Sequence, residues 1–249
     1  MRKTIGFSRF LRWEWMEHAA FLGMSGASAD DAEAALDHLL AHQVAEGSQS
    51  KRSARAKAIS ILLHVWFPKN PKLIEFRRDA LTLYRDTEPA SRLALHWGMA
   101  LANYPFFVSF ATNTGRLLRL QGYLLLGQLE RRLEEEYGQR STLPFAVQKA
   151  VQTVVDWKTL KRDPAVGKYR AAESQPVSDP KLMVWLAEAL LRGSDRSSLD
   201  WRDLVHHPAL FPFAFSRPSE RALRGHPRLS LSYQGVDRAL LHLKEGNES

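Results

Sequence analysis

The sequence predicts a mainly α fold, a helical bundle with a winged helix-turn-helix-like portion and a small β-hairpin. Three observations carry that expectation. Apolar residues return at three- and four-residue intervals along most of the chain, and strand-like alternation is almost absent. Prolines at 68, 71, 89 and 105 punctuate the pattern into consecutive helices with short links. Between about residue 110 and residue 173, three helices are followed by a basic hairpin, the element order of a winged helix-turn-helix.

The elements follow in order. An aromatic-rich helix runs from Phe7 to Met24 and closes at SGAS. Ser28 caps a second helix through about Val44, with Asp30 and Asp31 favourably placed in its first turn. KRSARAKAISILLHVWF forms a helix that stops at Pro68, because proline disfavours helical geometry in the residue before it. Asn70 and Pro71 read as N-cap and first turn of PKLIEFRRDALTLYRD, Pro89 opens ASRLALHWGMALANY, and Pro105 opens PFFVSFATNTGRLLRLQ. The helix YLLLGQLERRLEEEY ends at Gly138, and STLPFAVQKAVQTVVDWKTL restarts after a Ser141/Thr142 cap. In LKRDPAVGKYRAA a proline and a glycine bracket a turn between basic segments, hence a hairpin. The helix KLMVWLAEALLRG, a short helical stretch LDWRDLVHH and an aromatic loop ALFPFAF follow. The implied organisation is an N-terminal helical bundle over 1–104, a winged-helix-like portion over 105–173, and a C-terminal helical extension over 174–249 packing on the rest. The 7 tryptophans are scattered through the helices and read as core.

Composition narrows the class. With 45% hydrophobic and 25% charged residues, 249 residues bury a core without covalent help. The absence of cysteine removes disulfides, thiolate zinc sites, iron–sulfur clusters and cysteine nucleophiles, and makes a reducing cytoplasm the expected compartment. Arg12, Glu14, Glu17 and His18 interrupt what a secretory leader would need, and the apolar run Ile61–Phe67 is far shorter than the roughly 20 residues of a membrane span. No membrane partner is expected. The net charge of +8 is uneven: residues 51–100 carry ten basic and four acidic side chains, and residues 101–173 eleven and seven, whereas residues 1–50 carry four and seven. Such a field attracts polyanions, nucleic acid above all; the other reading is a merely soluble basic surface.

The candidate contacts cluster around the third helix of the winged portion. Val147, Ala150, Val151 and Val154 share one face; Phe145, Lys149, Gln152 and Asp156 lie on the other, with Gln148 beside them. Gln148, Lys149 and Gln152 are then free to address base edges or phosphates, and Arg140, Ser141 and Thr142 at the helix start suit a phosphate. Lys161, Arg162, Lys168 and Arg170 furnish the hairpin. Lys51, Arg52, Arg55 and Lys57 crowd the start of an earlier helix, where the macrodipole disfavours cations by roughly 0.3–1 kcal/mol each; a phosphate backbone, Glu46 or carboxylates of neighbouring helices must compensate them. Glu130, Glu134, Glu135 and Glu136, with Arg131 and Arg132, read as a solvated face with internal ion pairs.

Catalytic patterns are missing. There is no G-x-x-x-x-G-K-[ST], G-x-G-x-x-G or G-x-S-x-G. His38 and His42 are four apart but lack the glutamate of H-E-x-x-H, so they read as a solvated face and not a zinc site. His206–His207 reads as a cap, and His64 and His96 as core residues. Neither an enzyme nor a cofactor or metal is expected.

AKAISILLHVWFPKNPKLIEFRRDALTLYRDTEPASRLALHWGMALANYPFF, then GRLLRLQG, the Ser-Thr-initiated helix and the LKRDPAVGKYRAA turn, resembles the BrxA family of bacterial BREX bacteriophage-exclusion systems. The likeness spans roughly residues 50–190 and lies in element order and the RLALHWGMALANYPFF segment. It implies a largely helical, cytoplasmic accessory protein of a defence system, with no catalysis of its own, double-stranded DNA as partner, and other subunits of a defence complex beside it. Family members have been labelled inner-membrane proteins, which the hydrophobicity of this chain speaks against. The tail containing HHPALFPFAF departs from the family. The resulting expectation is a DNA-binding accessory protein that contacts the duplex mainly through phosphates. The alternatives are a docking adaptor for an acidic subunit, and a transcriptional regulator with a preferred operator.

Overall fold

The computed structural model describes residues 4–41, 43–44, 54–216, 219–235 and 238–244. Helices α1 (Trp13–Met24), α2 (Ala29–Leu40), α3 (Ala54–Trp66), α4 (Ile74–Asp86), α5 (Leu93–Asn103) and α6 (Pro105–Gln121) come first. Strand β1 (Leu124–Leu125), helices α7 (Leu126–Tyr137) and α8 (Leu143–Asp156), and strands β2 (Leu160–Arg162) and β3 (Lys168–Ala171) follow. The remainder comprises β4 (Gln175–Val177), α9 (Pro180–Gly193), β5 (Leu199–Asp200), β6 (Phe213–Phe215), β7 (Leu229–Gln234) and β8 (Arg238–Leu243). The described residues are mainly helical with small sheets, and no helix among them is long and apolar enough to cross a membrane.

Local chemistry accounts for most boundaries. Ser28 Oγ accepts from the Asp31 amide at 3.1 Å, and Asn70 Oδ1 from the Lys72 amide at 3.1 Å, satisfying donors that a helix start leaves open. After Asn70 the chain makes a 3-10 turn, Pro71–Leu73, before α4 begins. Gly138, at φ +75°, ends α7.

Other boundaries correct the sequence reading. The first helix begins at Trp13, not Phe7; the chain before it is irregular and buries Phe7 and Leu11. The second ends at Leu40. Thr142 stands at the N-cap of α8, but neither it nor Ser141 caps it with a side-chain hydrogen bond; Pro144 already removes one first-turn donor. Among the described residues the stretch from 174 holds a single α-helix among strands, so the expected helical extension holds only over α9. In β7, Leu229 and Leu231 alternate with Ser230 and Ser232, and β7 pairs antiparallel with β8, which also carries β5. Strands β4 and β6 pair in parallel.

One apolar cluster joins side chains from Phe7 to Leu241. At its centre α5 is buried along its whole length, packed by α3, α4, α6 and above all α9. Trp185 stacks on Phe76 at 4.5 Å and donates its indole N–H to the Phe76 carbonyl at 3.1 Å, while Trp97 donates to the Ala209 carbonyl at 2.9 Å. Tryptophans 15, 66, 97, 157, 185 and 201 are buried, as expected of core. His96 is fully buried too, with Nε2 2.6 Å from Glu17 Oε1; Arg92 and Tyr84 bind the other carboxylate oxygen, each at 3.1 Å. This group ties α1 to α4 and α5. His64 is instead exposed, its ring 5.0 Å from Tyr104, which corrects its reading as a core residue.

These histidines set a pH dependence. Burial pushes the imidazoles of His96, His207 and His226 below the ordinary 6.5, His207 to about 4 with help from Arg196, Arg116 and Arg119. The unfolded chain therefore binds more protons than the folded one between pH 6.5 and 4. The contribution of these histidines to stability is full above pH 6.5 and is lost as pH falls, for His207 down to about 4. Glu17, whose carboxyl stays lowered despite burial because His96, Arg92 and Tyr84 hold its ionised form, adds a loss at the acid end. Urea midpoints followed by tryptophan fluorescence are expected to drop from about pH 7 to about pH 4.5; a flat profile contradicts this account.

Candidate nucleic-acid interface

Helices α6, α7 and α8 and strands β1, β2 and β3 form one unit. Strand β1 lies between α6 and α7, and the sheet order is β1-β3-β2, antiparallel throughout. The hairpin expected over LKRDPAVGKYRAA is present, and β1 is a third strand that two leucines gave no local reason to expect. Lys158, at φ +58°, turns the chain out of α8, with the Thr159 amide donating to the Val154 carbonyl at 2.9 Å, so that β2 starts at once.

Helix α8 buries Leu143, Ala146, Val147, Ala150, Val151 and Val154, the expected face. On its other side Ser141, Thr142, Phe145 and Gln148 are exposed, Arg140, Lys149 and Gln152 half-buried. The segment before α1 lies along this side. The Leu11 amide donates to Thr153 Oγ1 at 3.0 Å, the Trp157 indole to the Leu11 carbonyl at 3.1 Å, and the Trp13 amide to Asp156 Oδ2 at 2.7 Å. Asp156 is thus engaged by the fold. Lys149 Nζ donates to Gln152 Oε1 at 3.1 Å. Both Arg9 and Lys149 stand over the Phe145 ring, each 5.3 Å from its centroid. Arg9 joins the surface from a distant part of the sequence, and no local pattern marks it.

The hairpin is cationic but partly balanced. Asp163 Oδ2 accepts from Arg170 Nε at 2.8 Å and lies 3.9 Å from Lys168 Nζ, whose ammonium also stands 4.6 Å from the centre of the Tyr123 ring. The Ala165 amide, then Arg170 and Lys168, hold the Asp163 carboxyl below its usual range. Lys161 and Arg162 are exposed, and the described residues place no carboxylate against either. Lys161 sits directly opposite Arg170, a like-charge cross-strand pair that an anion would relieve.

The earlier cations behave differently. Lys51 and Arg52 lie outside the described residues, as do Glu46 and His42. Arg55 pairs with Asp37 of α2 at 3.0 Å, so a neighbouring carboxylate compensates it; Lys57 is exposed. Helix α3 packs against α1, α2 and α5, not into the unit of α8 and the hairpin. On α7, Glu136 accepts from Asn113 of α6 at 2.7 Å and Arg131 donates to the Gly127 carbonyl at 3.3 Å, contacts other than the ion pairs expected there.

No protein-family model, no curated protein and no solved structure matches this chain. The functional reading therefore rests on geometry and charge.

Proposed function

We propose that α6, β1, α7, α8, β2 and β3 constitute a winged helix-turn-helix that binds double-stranded DNA without catalysis, mainly through phosphates, and that the protein acts as an accessory subunit of a BREX-like defence system. The observation that carries this reading is the strand order β1-β3-β2 wrapped on three helices, with an exposed third-helix start beside a cationic hairpin. Ser141, Thr142 and Gln148 would meet the groove, Lys149 and Gln152 would contribute after exchanging their mutual hydrogen bond, and Lys161, Arg162, Lys168 and Arg170 would follow the backbone. Arg9 extends the same surface.

Charge reversal tests it. Lys161→Glu with Arg162→Glu is expected to weaken binding to unrelated duplexes alike and to reduce the slope of log affinity against log salt by about 0.9 for each phosphate that is no longer neutralised. Unchanged affinity and slope would remove the hairpin from the interface. One observation favours the adaptor reading: Phe145 is exposed and Val166, at the hairpin tip, is fully so, apolar groups that suit a protein surface better than a phosphate. A partner subunit retained after nuclease treatment, with no duplex binding at physiological salt, would establish that reading instead.

A further inference from the structure

A second basic locus lies away from the α8 surface, where α6 passes the end of α9. Two adjoining hollows form one cleft there, sharing Val108, Thr112, Ser194 and Arg196 in their walls. The outer hollow, about 220 Å³, adds Arg116, Ser109 and Tyr137; the inner one, about 50 Å³, adds Ser198 and His207. Its two carboxylates, Glu136 and Asp195, line only the outer hollow, and Glu136 is already engaged by the Asn113 amide. Arg116 and Arg196 are exposed, with no carboxylate against either among the described residues.

The inner end is built for a donor role. His207 Nδ1 accepts from the Ala209 amide at 3.3 Å, which caps the Pro208–Leu210 turn and leaves the ring proton on Nε2. The neighbouring Arg119 is held by a 2.6 Å hydrogen bond to the His206 carbonyl. The turn itself is fixed against α6, because Gly115 has no Cβ and the Pro208 carbonyl lies where one would stand. Burial, and then the charges of Arg196, Arg116 and Arg119, depress the His207 imidazole, so these guanidiniums act on the ring as a positive field. Guanidinium forks, an imidazole N–H and the hydroxyls of Thr112, Ser194 and Ser198 are donors matched to a tetrahedral oxyanion.

We propose that this cleft binds a phosphate or the phosphoryl group of a small phosphate monoester, gripped by Arg116 and Arg196 and oriented by His207. The inner hollow has room for a terminal phosphoryl group and not for the backbone of a duplex, and the outer hollow leaves space for the ester substituent. The site draws Arg116 and Thr112 from α6 of the same unit but uses none of the α8 or hairpin side chains that would meet DNA.

Calorimetric titration of the full chain with inorganic phosphate at about pH 7.5 tests this. Saturable binding is expected that chloride at equal ionic strength does not reproduce. Affinity is expected to fall at least about tenfold in the Arg116→Gln/Arg196→Gln variant, a loss of about 1.4 kcal/mol, and to be unchanged in Lys161→Glu/Arg162→Glu. Absence of saturable binding in the wild-type protein, its survival in the first variant, or its loss in the second overturns the proposal. A readout that needs no variant is the His207 ring followed by NMR. Its titration is expected to move up from about 4 in sulfate relative to chloride, because a bound dianion offsets the guanidinium field. An identical midpoint in both salts overturns the proposal as well. Duplex binding through the hairpin is a separate measurement, so either reading can fail alone.

Discussion

Glu188→Ala is expected to cost about 3–5 kcal/mol of stability, because it removes the buried carboxylate that two half-buried guanidiniums share. Glu188 is fully buried on α9. One carboxylate oxygen accepts from Arg192, one turn on, at 2.6 Å, and from Arg228 Nε at 2.8 Å; the other accepts from Arg228 Nη2 at 2.9 Å. Arg228 also binds Asp79 of α4, and these two carboxylates together hold its guanidinium well above its ordinary range despite the opposing effect of burial. The group thus fastens the chain entering β7 to α9 and α4. Urea denaturation monitored by tryptophan fluorescence measures the destabilisation. In a double-mutant cycle with Arg228→Ala, the two single effects are expected to fall well short of adding, since either substitution breaks the same interactions. A cost below about 1 kcal/mol for Glu188→Ala, the value of an exposed pair, would show that the group is not a structural tie.

Gly193→Ala is expected to cost about 3 kcal/mol, at the upper end of overpacking effects, and Gly127→Ala to stabilise by up to about 1 kcal/mol. Both are helical glycines, so local propensity predicts the same gain for each. A Cβ on Gly193 would overlap the Leu101 carbonyl of α5, a backbone atom that no rotamer change can move, and would press on Val108. A Cβ on Gly127 would meet nothing within 4 Å. Gly98 repeats the theme from the α5 side, where a methyl group would overlap the Trp185 ring. The close approach of α5 and α9 thus depends on two absent side chains. Equal effects at positions 193 and 127 would contradict that packing.

The comparison of these two glycines shows where sequence reading stops. Their difference lies in the segment that crosses each one, which is remote in the chain. The same holds at the α8 surface. Its apolar face was legible from Val147, Ala150, Val151 and Val154, and its exposed glutamine from the complementary stripe. The segment lying along it was not: residues 7–12 have the apolar spacing of a helix, yet they are not helical, and Leu11 and Trp13 hydrogen-bond to Thr153, Asp156 and Trp157 at the end of α8. Likewise the hairpin cations were legible, but their partial neutralisation by Asp163 depended on how the turn folded back. The cleft beside His207 left no trace in the sequence, since Arg116 of α6 and Arg196, just beyond the end of α9, meet His207 only in the fold.

By itself the sequence determined the helical class, most helix limits, the burial of the tryptophans and the basic character of residues 51–173. These follow from periodicity, proline and capping chemistry, which act over one or two turns of chain. Tertiary structure alone decided the added strand β1, the sheet of β5, β7 and β8, the engagement of Asp156 and Arg55, and the convergence of cations around His207. Those depend on hydrogen bonds and charges between residues far apart in the chain, whose meeting is fixed by packing of the shared core and not by any local preference.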